Sequence, residues 1–289
     1  MHPPTDPISS TFSCLSEAVG IELINPHIPR GRIHSVLFDF DGTLSLIREG
    51  WRDIMVPMMV EILAELNTGE TRAVLTAVVT GFVDRLTGQQ TIYQMLRLCE
   101  QIRKRGGSPA DPLDYKHCYH DRLLQHIEGR IAGLESGAIA PEDLMLPGTL
   151  DLLENLQHRG LVLYLASGTD VDYVRSEADL LGVAPYFQGR IFGALDQYRN
   201  FSKAMLIQDI IRTHNLKGGD LLGFGDGYVE IENVKEAGGI AVGVASDEAR
   251  REGVNAWKRE RLLRAGADLI VPEYREQDRL VAYLCNDHA

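Results

Sequence analysis

Two carboxylates one residue apart, Asp39 and Asp41, close an apolar run in the stretch SVLFDFDGTLSLI, residues 35–47. Carboxylates in such a place can attack an electrophile, move a proton or hold a hard cation. An Asp-Gly pair between apolar runs is equally a strong signal for a tight hairpin turn. Three further segments carry complementary groups. Ser167, Gly168 and Thr169 follow the apolar run LVLYLA, Lys203 opens a helical pattern after NFS, and Asp226 follows LLGFG in GFGDGYVEIEN. Taken singly, each is better explained as a turn, a cap, a surface charge or a loop. Together, in this order and each at the edge of a strand or helix, they point to phosphoryl transfer.

The reason is charge. A phosphate monoester carries about two negative charges, so a carboxylate can attack it only when that charge is offset. Mg2+ suits the task, because it is held by a few carboxylates while keeping several waters. Asp39 and Asp226 can supply those carboxylates from adjacent strands, and Lys203 adds a compact positive charge. Ser167 and the backbone N–H groups around Gly168, placed at a helix N-terminus, make an anion site. Asp41 can give a proton to the leaving group and then take one from water.

These groups need a scaffold that brings strand ends together. After LPG at 146–148 the pattern alternates: a helix (TLDLLENLQHRG), a strand (LVLYLA), a helix near 171–181, a short strand at 190–194 and a helix from about Ser202 to His214. LLGFG, IAVGVA and ADLIVP read as strands, YVEIENVKEAGG as a helix, and a last helix closes the chain. Short apolar strands separated by helices indicate a parallel sheet covered on both faces. SVLFDF belongs to this set, and ligands bind beyond the carboxyl ends of such strands. A flap hairpin after Gly42 is compatible with that placement.

Between SVLFDF and the rest lies a block of different character. TRAVLTAVVTGFVDRL, TIYQMLRLCEQIRKRG and YKHCYHDRLLQHIEGRIAGL all read as helices; in the second, Ile92, Met95, Leu96, Cys99 and Ile102 recur at helical spacing. The organisation expected is an N-terminal extension (1–31), a catalytic core (32–47 and 141–289) and an inserted unit of about four helices (48–140). The extension is Pro- and Ser-rich and reads as irregular, with a short helix near Leu15–Ala18.

Composition narrows the partners. A content of 44% apolar and 24% charged residues is that of a soluble globular protein, with no run near the ~18 apolar residues needed to span a bilayer. The N-terminus lacks the basic-then-apolar order of a secretory signal, so the cytoplasm is expected. A net charge of −12 argues against nucleic-acid binding, though a local positive site can still take a small anion. Cys14, Cys99, Cys118 and Cys285 form no CxxC pair, so reduced thiols are the default.

DFDGTL, SGT, Lys203 and GDGYVE resemble, in order, the four motifs of the haloacid dehalogenase-like hydrolase superfamily, over about residues 33–284. Phosphoglycolate phosphatases and β-phosphoglucomutases are the nearest-looking relatives. The resemblance implies a Rossmann-like, three-layer αβα core with an inserted all-helical cap, and a Mg2+-dependent aspartyl-phosphate mechanism. It makes Asp39 the nucleophile and Asp41 the acid/base, whose backbone carbonyl also serves Mg2+. Ser167, Gly168 and Lys203 would hold the phosphate, and Asp226 would be the second metal carboxylate. The motif usually carries another Asp four residues on, where this chain has Glu230; being longer, it would bind through a metal water or hold Lys203. The true dehalogenases lack a carboxylate at the position of Asp41, so its presence favours phosphate chemistry.

The function expected is hydrolysis of a small phosphate monoester, such as a sugar phosphate. A phosphomutase of the β-phosphoglucomutase type and a non-catalytic binding protein on the same fold are the alternatives. Arg48, Trp51 and Arg52 lie where the flap joins the helical block, and Arg48 is a candidate grip on substrate phosphate or carboxylate. His117, His120 and His126 lack a carboxylate or thiolate to complete a metal set and are expected at the surface. EARREGVNAWKRERLLR reads as an exposed helix face.

Overall fold

The computed structural model describes residues 20–194, 203–213, 215 and 218–287. The apolar runs form β2 (Ser35–Phe38), β3 (Val162–Asp170), β4 (Ile191–Ala194), β5 (Leu221–Gly225), β6 (Ile240–Val244) and β7 (Leu269–Val271). They pair in parallel, in the order β7-β6-β5-β2-β3-β4. A two-residue strand, β1 (Glu22–Leu23), adds antiparallel to β7. It corrects the expectation of an irregular lead-in. Two residues carry too little pattern to be read as a strand, and tertiary pairing alone makes them one. The expected helix near Leu15–Ala18 lies outside the described residues.

Alternation along the strands builds two cores. Val36 and Phe38 face one side, against Leu152, Leu156, Leu280 and Leu284. Those leucines come from α5 (Thr149–His158) and α10 (Gln277–Cys285). Leu37 faces the other side with Leu206, Ile231 and Leu262. These belong to α7 (Lys203–Thr213), α8 (Tyr228–Glu236) and α9 (Ala256–Arg264). The result is a three-layer αβα sandwich, as the apolar strands require. From β2 the chain steps to β3 and β4 on one side, then returns to β5 and its successors on the other. The order therefore reverses between β2 and β5, which opens a crevice beyond their carboxyl ends.

Four helices fill the insertion between β2 and β3: α1 (Trp51–Ala64), α2 (Arg72–Leu86), α3 (Thr91–Lys104) and α4 (Pro112–Ser136). Their ends follow local chemistry. Asp111 caps α4 by accepting from the Leu113 N–H at 2.9 Å, Pro112 sits in its first turn, and Gly137 (φ 72°) ends it. On α3, Leu98 takes the buried place expected of Leu96, and Gln94 is buried as well. Among the described residues, no helix is long and apolar enough to cross a membrane.

Candidate active site

The Asp-Gly turn and the paired carboxylates prove to be one structure. Asp39 is the first residue beyond β2, and its N–H donates to the Phe224 carbonyl of β5 at 3.0 Å. The neighbouring rings of Phe38 and Phe224 stack at 4.8 Å, which locks the two strand ends together. At Gly42 (φ +73°) the chain turns back, with the Gly42 N–H donating to the Ser45 carbonyl at 2.9 Å. The turn also grips β5, because the Asp226 N–H donates to Thr43 Oγ1 at 3.0 Å. A Cβ at Gly42 would stand 2.5 Å from Asp226 Oδ2, so this tight turn needs glycine for space as well as for its dihedrals. Residues 44–46 then pair with 144–146, so the helical insertion leaves and re-enters the core at one point.

Asp41 sits under a different set of partners. Its Oδ2 accepts from Thr169 Oγ1 at 2.9 Å and from Ser167 Oγ at 3.3 Å. Both donors lie in β3, which extends through Asp170; the helix α6 (Val171–Leu180) begins only after it. That corrects the placement of Ser167 and Gly168 at a helix N-terminus: they are at a strand end, with Ser167 engaged by Asp41 and by the Thr169 N–H. On the other side Arg48 Nε stands 3.9 Å from Asp41 Oδ1. Arg48 is buried and bound through Nε and Nη2 to Glu177 of α6, at 3.0 and 2.6 Å. Burial opposes its charge, but Glu177 and Asp41 more than offset that, and its pKa is raised. The Glu177 carboxyl is pushed up by burial, against the pull of Arg48.

A second cluster lies behind Asp226, where Lys258 Nζ reaches Asp226 Oδ2 at 2.8 Å and Glu248 Oε1 at 2.5 Å. Nζ also donates to Ser246 Oγ at 3.1 Å, and that hydroxyl donates to the Gly42 carbonyl at 3.0 Å. Lys258 is only 8% exposed, which corrects the reading of its segment as a solvated face. The helix points one residue of a charged stretch inward because a carboxylate pair waits there. Burial alone would lower the Lys258 pKa; Asp226 and Glu248 raise it.

The helical insertion supplies the opposite wall of a cavity of about 100 Å3. Asp39, Asp41 and Asp226 line its floor, with Trp51, Met55, Gln94, Tyr119 and Leu123 across from them. The insertion touches the core at several points. Gln89 Nε2 donates to the Tyr228 hydroxyl at 2.6 Å, Arg261 Nη2 donates to the Thr87 carbonyl at 3.2 Å, and Lys116 Nζ pairs with Asp170 at 2.7 Å. His120 is buried 3.6 Å from the same Asp170, against the expectation of a surface histidine. His117 and His126 are exposed, as expected.

Not every expected residue reaches the cavity. Glu230 is buried beneath the turn that follows β5, where a Cβ at Gly227 would stand 2.5 Å from its Oε2. It is not among the cavity's walls. Lys203 begins α7, as its helical pattern indicated, but its side chain lies outside the described residues. Thr169 belongs to the polar segment that the sequence places after LVLYLA, whereas Glu248, Lys258, Glu177 and Gln94 are not singled out there as site residues. Glu248 had a weaker signal, since it lies in the loop after β6, a few residues beyond the strand end. The others depend on long-range packing.

The donor set fits a hard cation. Asp39 and Asp226 face one crevice from adjacent strands, with the Gly42 backbone packed against Asp226. Among the described residues, no three His, Cys, Asp or Glu side chains form a ready-made metal cage. Mg2+ needs no such cage, since it keeps several waters and takes one or two carboxylates.

A family model of the haloacid dehalogenase-like hydrolases matches residues 33–238, which contain both aspartates of the turn and Asp226. The chain belongs to this family. Several solved structures show the same fold. A predicted phosphoglycolate phosphatase from Haemophilus somnus aligns with a TM-score of 0.56 at 14% identity, over 86% of this chain and 98% of that one. A family hydrolase from Deinococcus radiodurans, with bound phosphate and sodium, gives 0.52 at 15% identity over 87% and 96%. A β-phosphoglucomutase from Clostridium difficile gives 0.50 at 14% identity over 80% and 98%. At these identities the likeness is one of fold. No curated protein matches the chain.

Proposed function

We propose that this hydrolase is a Mg2+-dependent phosphatase acting on a small phosphate monoester, a sugar phosphate or similar metabolite, in the cytoplasm and not on nucleic acid. The observation that carries the reading is the convergence of Asp39, Asp41 and Asp226 at the crevice between β2 and β5. Asp39, Asp226 and the backbone carbonyl of Asp41 would hold the metal. When bound, Mg2+ offsets the charge of the phosphate and of the carboxylates around it.

An Asp39 oxygen attacks phosphorus, and the bond from phosphorus to the substrate oxygen breaks. Asp41, entering in its protonated form, passes that proton to the departing oxygen, so an alcohol leaves and an aspartyl-phosphate remains. Asp41 then takes a proton from water as the water oxygen attacks phosphorus, which frees Asp39 and inorganic phosphate. Thr169 and Ser167 hold Asp41 in place for both transfers. Lys203 and Gly168 complete the phosphate site in this reading. Arg48 contributes a fixed positive charge beside Asp41 and, being clasped by Glu177, is a poor grip for a substrate carboxylate.

The helical block 48–140 serves as the cap that selects substrate. Arg48 is the one cation among the described cavity-lining residues. Glu49 lines the cavity beside it, paired with Arg130 at 2.9 Å, and the helical residues across from the aspartates, Trp51, Met55, Gln94, Tyr119 and Leu123, are uncharged. Gln94 Nε2 donates to the Leu86 carbonyl at 3.2 Å, which leaves its buried Oε1 without a partner. An acceptor in that place calls for a hydroxyl donor, and so for a hydroxylated leaving group. Phosphate release from a panel of phosphorylated metabolites tests the reading. Neutral sugar and polyol phosphates should lead the panel, EDTA should abolish release, and Mg2+ but not Ca2+ should restore it. Full activity in EDTA, or no release from any phosphate ester, overturns the proposal.

A further inference from the structure

The Lys258 cluster invites a question that phosphate hydrolysis does not answer: why does an acidic metal site enclose a lysine? An ammonium has three donors, and Lys258 spends all three, on Asp226, Glu248 and Ser246. It therefore has none left for a substrate phosphate. Its position is fixed from both ends. Its own N–H is capped by Asn255 Oδ1 at 3.0 Å, and Ser246 ties the far end to the Gly42 carbonyl in the catalytic turn. Asp226 and Glu248 belong to the acidic wall, and Ser246 reaches the turn that shapes it.

We infer that Lys258 is a built-in counter-cation of the metal centre and that Glu248 is its outer carboxylate. The inference rests on the reading that Asp39 and Asp226 hold a divalent ion. Lys258 binds one oxygen of Asp226, which restricts that carboxylate to a single free oxygen. It also leaves the wall one charge less negative. Both effects weaken the hold on a divalent cation and favour an ion content with few protein ligands, as Mg2+ is. In the metal-free protein the same ammonium keeps the crowded carboxylates paired, where an unpaired buried charge is strongly destabilising. Lys258 is on this account a positioning residue.

The test is calorimetric titration of the full-length protein with Mg2+ and with Ca2+, which needs no substrate. Lys258→Met should bind both ions about tenfold more tightly or better, with the larger gain for Ca2+, and should melt at a lower temperature when metal-free. Lys258→Gln, which keeps a hydrogen-bond donor without the charge, should show the same tightening and serves if the Met variant fails to fold. Glu248→Gln should weaken both ions. Unchanged or weaker binding by the Lys258 variants overturns the inference. Asp226→Asn separates the two levels: if it leaves Mg2+ binding intact, the metal reading itself falls and takes this inference with it. If it weakens binding while the Lys258 variants do not tighten it, only this inference is lost.

Discussion

The two walls of the cavity are built on opposite principles. The core wall is ionic and pinned by backbone: Asp39 and Asp226 follow adjacent strands, the Asp39 N–H donating to the Phe224 carbonyl and the Asp226 N–H to Thr43 Oγ1 in the glycine turn. Across from it the cap wall is made of uncharged side chains on helices, Trp51, Met55, Gln94, Tyr119 and Leu123, with Arg48 and Glu49 only where it joins the core. A reaction centre must keep its charges within a few tenths of an ångström, which paired strands achieve. A selecting surface needs only a shape and one or two hydrogen bonds, which helix side chains supply. On the proposed reading, chemistry and choice of substrate are thereby separable, and substitutions on the two walls should fail differently.

The largest effect belongs to the core wall. Asp39→Asn should remove activity on every substrate, because no carboxylate remains to form the aspartyl-phosphate. Asp41→Asn should instead depend on the leaving group. A sugar alkoxide needs a proton and should depart about 10²–10⁴-fold more slowly, whereas nitrophenolate leaves unprotonated. With nitrophenyl phosphate the second step then limits, and rapid quench should show a burst of nitrophenol. Equal slowing of both esters without a burst would mean that Asp41 moves no proton.

A smaller effect is expected where the walls meet. Arg48 and Glu177 are both buried, 6% and 3% exposed, and each is the other's principal partner. Glu177→Gln leaves a guanidinium buried beside Asp41 with a neutral partner, at a cost of about 3–5 kcal/mol in urea unfolding. Replacing the pair together, Arg48→Met with Glu177→Leu, should recover most of that stability. If Glu177→Gln unfolds at the same urea concentration as the parent, Arg48 is free to act on substrate and the neutral-wall argument weakens.

The same division explains what could be read from the sequence. Residues that end strands were legible, because a strand's apolar run and the polar residues just beyond it are contiguous: Asp39, Asp41, Ser167 and Asp226 were all found in that way. Glu248 stands further out, in the loop after β6 at the start of a charged stretch, where contiguity with the strand no longer marks it. Residues that act from within helices are not legible. Lys258, Glu177 and Gln94 face inward only because a partner from another element meets them, and helical periodicity cannot tell one buried polar residue from an exposed one. β1 shows the extreme case, since two residues become a strand through pairing with β7 alone.

The smallest effect tests the cap wall through one atom. Gln94→Leu removes the Oε1 acceptor while keeping the side chain's bulk. If that acceptor meets a substrate hydroxyl, a single hydrogen bond worth about 0.5–1.5 kcal/mol is lost, and KM for the preferred sugar phosphate should rise about 2–10-fold. Turnover should change little, because Gln94 touches neither phosphorus nor the departing oxygen's proton. Nitrophenyl phosphate, which offers no hydroxyl, should be hydrolysed as before. The alternative is that Gln94 merely closes the end of α2 through the Leu86 carbonyl. That carbonyl also accepts from the Gln89 N–H at 3.0 Å, so it keeps a partner when Gln94 is gone. Stability should therefore hold, or improve slightly, once an unpartnered buried oxygen is removed. A lower melting temperature with KM raised equally for both esters would make Gln94 a piece of helix structure, and the hydroxylated substrate would lose its support.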